Sequence, residues 1–142
     1  MTTSNTQPVV QGTQAAVHAR GLTRIYNLGP VQVRGIDAID LTIPTGQLVV
    51  LKGDSGSGKS TLLSLIAGLD KITRGELIAA GQNLAQFNDT DLTEFRRHAV
   101  GIIFQSFNLM PTLNVLENVC LPALLACRTF FNLRSRAGEL LR

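Results

Sequence analysis

The sequence is poor in cysteine and lysine and has no long run of purely apolar residues, and each scarcity removes a class of function. Its two cysteines, Cys120 and Cys127, lie seven apart with no histidine or second pair at ligand spacing. That excludes a zinc ribbon and argues against a disulfide scaffold. Both sit in an apolar stretch, which predicts buried free thiols in a reducing compartment. The apolar stretch Val119 to Cys127 is nine residues and contains Pro122, too short to span a membrane. Met1 to Gln14 is polar and lacks the basic head and apolar centre of a signal peptide. Thirteen basic residues against ten acidic ones give only +3, and the arginines are scattered without a basic tract. Nothing in that balance points to nucleic acid. These absences together predict a soluble, cytoplasmic protein.

What is present suits one globular domain: 142 residues, 44% hydrophobic and 16% charged. Residues 1–15 show no periodic apolar pattern and read as a flexible tail ahead of a domain over 16–142. Val17, Ala19 and Leu22 to Tyr26 predict a strand. Val31 to Ile43 predicts a second, in which Ile39, Leu41 and Ile43 alternate with Asp40 and Thr42. Pro44-Thr45-Gly46 is a turn signal. Leu48-Val49-Val50-Leu51 then has the pattern of a strand buried on both faces.

A helix follows with Leu62, Leu65, Ile66 and Leu69 as its apolar stripe and Gly68 near its end. Glu76 to Ala80 reads as a short strand and Asp89 to Arg97 as a helix, its acids first and its arginines last. Val100 to Phe104 reads as another strand. Asn114 and Glu117 predict a reciprocal cap for a helix whose buried side is Val115, Leu116, Val119 and Cys120. A final helix carries Leu133, Ala137, Leu140 and Leu141 at helical spacing, with no stop signal after it. No internal repeat or low-complexity tract occurs.

The decisive pattern is Gly53-Asp54-Ser55-Gly56-Ser57-Gly58-Lys59-Ser60, a G-x-x-x-x-G-K-[ST] phosphate loop. From this composition a chance match is expected in roughly three chains per thousand. Its placement after an apolar strand and at the head of a helix is the one the chemistry requires. Backbone amides of a loop with little side-chain bulk form a nest for oxyanions, and the helix amino end adds partial positive charge. Lys59 is expected to reach the β- and γ-phosphates, and the Ser60 hydroxyl to ligate Mg²⁺. The competing reading is a glycine-rich turn that binds nothing.

From Tyr26 to Pro122 the chain resembles the nucleotide-binding subunit of ABC transporters, nearest the branch that powers lipoprotein release and macrolide-type export. The resemblance is carried by Gly53 to Thr61, Leu62-Leu63, Gly68-Leu69-Asp70, Phe104-Gln105 and Phe107-Asn108-Leu109, then Leu116-Glu117-Asn118-Val119 and Leu121-Pro122. It implies an α/β P-loop NTPase core with an antiparallel β subdomain at the amino end. It implies ATP and Mg²⁺ as cofactors, and transport ATPase activity on the cytoplasmic face of the membrane. The implied partners are a transmembrane permease and a second nucleotide-binding subunit clasped head to tail. By resemblance, Tyr26 stacks on adenine, although the residue alone would read as a half-buried strand tyrosine. Thr61 helps bind the α-phosphate. Gln105 contacts Mg²⁺ and the attacking water and senses the membrane partner, which gives it and Lys59 catalytic roles. His18 and His98 read as solvated or capping, Asp89 and Asp91 as capping residues, and Leu113–Leu125 as core. In the family the segment after Gln105 also lies where the membrane subunit docks.

The rest of the family's hydrolytic machinery is not in these residues. There is no Leu-Ser-Gly-Gly-Gln signature, no apolar run ending in Asp-Glu, and no later strand with a switch histidine. The expectation is therefore the amino-terminal part of a cassette, incompetent for hydrolysis by itself and exposing an unpaired apolar edge. The alternatives are a non-catalytic nucleotide-binding or interaction fragment, and another P-loop enzyme such as a nucleotide kinase or GTPase. No Asn-Lys-x-Asp guanine selector supports the last.

Overall fold

The computed structural model describes residues 15–125 and 130–142, and side chains outside 126–132. The chain divides into two compact units, the residues up to Arg96 and Arg97–Arg142, each described by itself.

The first unit is built on an antiparallel sheet. Strand β1 (Ala15–Leu28) pairs with β2 (Val31–Pro44) on one side and β3 (Arg74–Ala79) on the other. The short β4 (Gln82–Asn83) completes the order β2-β1-β3-β4. Val17 and Ala19 are buried on one parity of β1, but the next buried residue is Leu22. The register slips between Arg20 and Thr23, and that irregularity shifts the inward parity by one. Gly75 allows it: its φ is +90°, and a Cβ there would lie 2.3 Å from the Gly21 carbonyl oxygen. Leu22 and Leu77 are wholly buried, a contribution of about 2 kcal/mol each by apolar area. Thr23, the buried polar residue, donates to Gly21 O and accepts from Ala38 N.

Helix α1 (Lys59–Ile66) buries Leu62 and Leu65. It stops in a Schellman turn: Gly68 N–H donates to Leu65 O and Leu69 N–H to Ser64 O, with Gly68 at φ +66°. Leu69, expected on the buried stripe, therefore lies past the helix end and is exposed. Helix α2 (Asp89–His98) buries Leu92 and Phe95, and the Phe95 ring meets Phe87 edge-on at 6.3 Å. Asn88 caps it, accepting from Thr90 N and Asp91 N while Asp91 accepts from Asn88 N. Asp91 thus does serve a cap, whereas Asp89 pairs with Lys71 at 2.8 Å.

Two expected strands do not form. Residues 47–54 make no sheet pairing, and Leu48 and Val50 are 96% and 69% exposed. Val100–Phe104 is likewise unpaired, with Ile103 fully exposed. An apolar run becomes a strand only when neighbours supply hydrogen bonds, and no described strand lies alongside either segment.

In the second unit, α3 (Val115–Leu125) opens with the expected reciprocal cap. Glu117 N–H donates to Asn114 Oδ1 at 3.0 Å, and Asn114 N–H donates to Glu117 Oε2 at 2.9 Å. The Asn118 amide ties down the approach by donating to the Met110, Leu113 and Asn114 carbonyls. Of the expected buried side, Cys120 is buried, while Val115 and Val119 are exposed. Helix α4 (Phe130–Leu140) buries Ala137, but Leu140 and Leu141 face solvent. Cys120 is a free thiol; Cys127 lies outside the described residues, as does the expected tail before Ala15.

Candidate functional site

The phosphate-loop residues lead into α1 through three glycines with positive φ: Gly53 at +156°, Gly56 at +81° and Gly58 at +86°. An L side chain is strained in the left-handed conformations of Gly56 and Gly58, so the loop's shape follows from its composition. Ser57 N–H closes a turn onto Asp54 O at 3.2 Å. Gly58 is the N-cap of α1 and carries no side-chain cap, and the first turn of that helix has no acidic residue. Both α2 and α3 begin instead with an asparagine and a reciprocating acid. The amino end of α1 is therefore the one of these three built to meet an anion from outside the helix.

Lys59 lies across the loop. Its ammonium donates to Asp54 O at 2.6 Å, Gly53 O at 2.9 Å and Ser57 Oγ at 3.2 Å. These bonds hold the charge at the mouth of the loop. An arriving phosphate could share it without a large movement of the side chain.

A cavity of about 470 Å³ opens beside the loop. Ser55, Gly56, Gly58, Lys59, Ser60 and Thr61 line it together with Tyr26 of β1 and Val33, Arg34 and Gly35 of β2. Gly53, Ser57 and Lys59 also border a smaller cavity of about 240 Å³ with Ile36, Ile39 and Leu62. The tertiary fold thus gathers Tyr26 with the loop despite their separation in sequence. Its ring packs against bare backbone, since a Cβ on Gly35 would lie 2.8 Å from Tyr26 Cε2. Ser60 is exposed and lines this cavity, and its hydroxyl is of the type that ligates hard cations. Gln105 belongs to the other unit and is exposed there.

The β2 wall was not read from the sequence. Gly35 carried a usable signal, because a glycine inside a strand pattern marks close approach of another group. Arg34 did not, since an exposed arginine paired with Asp37 looks like any surface residue. His18 bonds to Thr42 and lies in the sheet, away from this cavity's lining.

Comparison with known proteins agrees with this geometry. Residues 36–142 match the family model described as ABC transporter. The chain is 39% identical to the lipoprotein-releasing system ATP-binding protein LolD of Chromohalobacter salexigens, over 97% of this chain and 58% of that protein. It is also 39% identical to the macrolide export ATP-binding/permease protein MacB of Hyphomonas neptunium, over 91% of this chain and 20% of that one. Among solved structures, the dimeric cassette MJ0796 in a post-hydrolysis state with ADP and Pi matches with a TM-score of 0.79 at 37% identity. That match covers 87% of this chain and 54% of the other, so the chain spans about half of such a cassette.

Proposed function

Because the chain belongs to the ABC transporter family, with the fold of its ATP-binding cassettes, we propose that it binds Mg-ATP in the cavity between Tyr26 and the phosphate loop. In the complete cassette this binding would drive transport through a membrane permease. The observation that carries the reading is one cavity lined both by an aromatic ring and by an uncapped helix amino terminus with Lys59. An adenine needs a flat apolar face, and a triphosphate needs amides and a cation. The cavity's lining offers both kinds of partner, a ring for the base and a cradle for the phosphates.

Each residue has a role in that reading. Tyr26 stacks on the base. The amides of Gly53, Asp54, Ser55, Gly56, Ser57 and Gly58 cradle the phosphates, and Thr61 meets the α-phosphate. Lys59 offsets the β- and γ-phosphate charge. Ser60 would hold Mg²⁺, whose chemistry is to neutralise charge on the terminal phosphates. The 142 residues contain no Asp-Glu ending an apolar run, so the function of these residues taken alone is binding rather than turnover.

We further propose a permease partner, a second cassette and a place on the cytoplasmic face of the membrane, a reading that the relatives support. LolD and MacB are named for lipoprotein release and macrolide export, and MJ0796 was solved as a dimer. No helix among the described residues is long and apolar enough to cross a membrane, so a separate span would have to come from elsewhere. Titration with labelled ATP and Mg²⁺ tests the site: Lys59→Ala should weaken binding at least tenfold with the far-ultraviolet dichroism unchanged. Equal binding by both proteins would reject it.

A further inference from the structure

Tyr26 is held by two residues outside the phosphate-loop motif. Its hydroxyl donates to Asp70 Oδ2 at 2.7 Å. The Arg24 guanidinium stands over its ring, 4.5 Å from the centroid. Arg24 and Asp70 also hold one another, with Arg24 Nε donating to Oδ2 at 2.9 Å and Nη2 lying 2.6 Å from Oδ1. The pair is bidentate, and its side chains are only 21% and 19% exposed. Bidentate, partly desolvated geometry distinguishes it from an ordinary surface ion pair.

Asp70 reaches this place through the fold of α1. The helix that begins at the phosphate loop ends in the Schellman turn at Gly68, and Asp70 leaves that turn beside β1. One end of α1 therefore meets the phosphate cradle and the other fixes the base platform.

The geometry points to Arg24 and Asp70 as positioning residues that orient the Tyr26 ring for a purine base. The inference rests on the reading of Tyr26 as the adenine platform. A tyrosine near the edge of a sheet has several rotamers, and stacking uses only one; restricting the ring beforehand removes that ordering cost from binding. Arg24 and Asp70 line a separate cavity of about 440 Å³ and are not on the wall of the nucleotide cavity. They act through Tyr26 and leave its other face for the base.

The test uses the full 142-residue chain and two probes, ATP and inorganic triphosphate, which differ by the nucleoside that Tyr26 would read. Tyr26 is the single tyrosine and there is no tryptophan, so intrinsic emission reports on this side chain alone. Asp70→Asn should brighten that emission, because a carboxylate accepting the phenol's hydrogen bond quenches it. The same variant should weaken ATP roughly five- to tenfold and leave triphosphate binding unchanged. Tyr26→Phe keeps the ring and removes only the bond to Asp70, and should weaken ATP roughly threefold with triphosphate again unchanged. Arg24→Lys should recover part of what Arg24→Ala loses, since an ammonium keeps the charge but not the fork.

Wild-type ATP affinity in Asp70→Asn, or equal loss of both probes, would overturn the proposal. If Asp70→Asn does not fold, Tyr26→Phe decides it, and unchanged ATP affinity in that variant overturns it. Tyr26→Ala separates the two levels of the argument. If Tyr26→Ala binds ATP as tightly as wild type, the platform itself is wrong. If it weakens ATP while Asp70→Asn is silent, only the positioning role fails.

Discussion

Gly58 and Gly35 meet backbone to backbone: a Cβ built on Gly58 would stand 2.4 Å from the Gly35 carbonyl oxygen and 2.6 Å from Ile36 Cγ2. A Cβ on Gly35 would in turn stand 2.8 Å from the Tyr26 ring and 2.9 Å from Thr61 Cγ2. One short piece of β2 is thus the common wall for the phosphate loop, the first turn of α1 and the aromatic ring. The two ends of the proposed nucleotide site are registered against the same backbone.

Gly58→Ala should remove that registration. The substitution combines a φ of +86° with a clash against backbone that cannot swing aside. We expect a loss of about 2–4 kcal/mol of stability and of nucleotide binding. Urea unfolding followed by dichroism, with an ATP titration alongside, would show it; wild-type values in both would refute the packing described.

Phe95→Ala should be among the most damaging single truncations in the first unit. Phe95 is 2% exposed, and its Cδ1 would lie 3.0 Å from a Cβ on Gly68. Emptying that space should cost about 3–5 kcal/mol, whereas Phe95→Leu should cost less because it leaves a smaller cavity. Comparing the two denaturation midpoints checks the order.

Asn114→Ala tests the cap of α3 in the second unit. It removes the acceptor for Glu117 N–H and leaves Glu117 without its reciprocal role. A loss of about 1 kcal/mol is expected, with Asn114→Asp largely retaining stability because the carboxylate accepts the same bond. Amide hydrogen exchange at the first turn of α3 would register it, and an unaltered exchange pattern in the alanine variant would count against the cap.

Ile103→Asp should improve behaviour in solution at almost no expense in stability. Ile103 is fully exposed and lies near Phe104 and Phe107, which are 47% and 92% exposed. Exposed apolar side chains grouped in sequence in this way promote association. Sedimentation should show less self-association in the variant, with the melting transition moved by less than about 0.5 kcal/mol equivalent. A large drop in stability would mean that Ile103 is buried in solution.

What could be read in advance depended on the range over which each feature is determined. The phosphate loop, the cap at Asn114 and Glu117, and the stop at Gly68 are contained within a few successive residues, so their pattern is their structure. Leu48–Leu51 and Val100–Phe104 misled for the opposite reason. An apolar run records a tendency to be buried, but strand pairing needs other segments, and none among the described residues stands beside these two. The displaced parity of β1 escaped for a similar reason, because it depends on Gly75 making room opposite Gly21.

The amino-acid sequence by itself determined a glycine-rich loop of the phosphate-loop pattern at the head of a helix, because glycine φ values, an uncapped helix terminus and one lysine act over short range. The comparisons with known proteins then established the family. Only the tertiary structure decided that Tyr26 lines the same cavity as the loop and that Arg24 and Asp70 hold it there. Those contacts join residues 44 and 46 positions apart. They exist because a bulged sheet and a helix stopped at Gly68 bring them to one place, which no local pattern encodes.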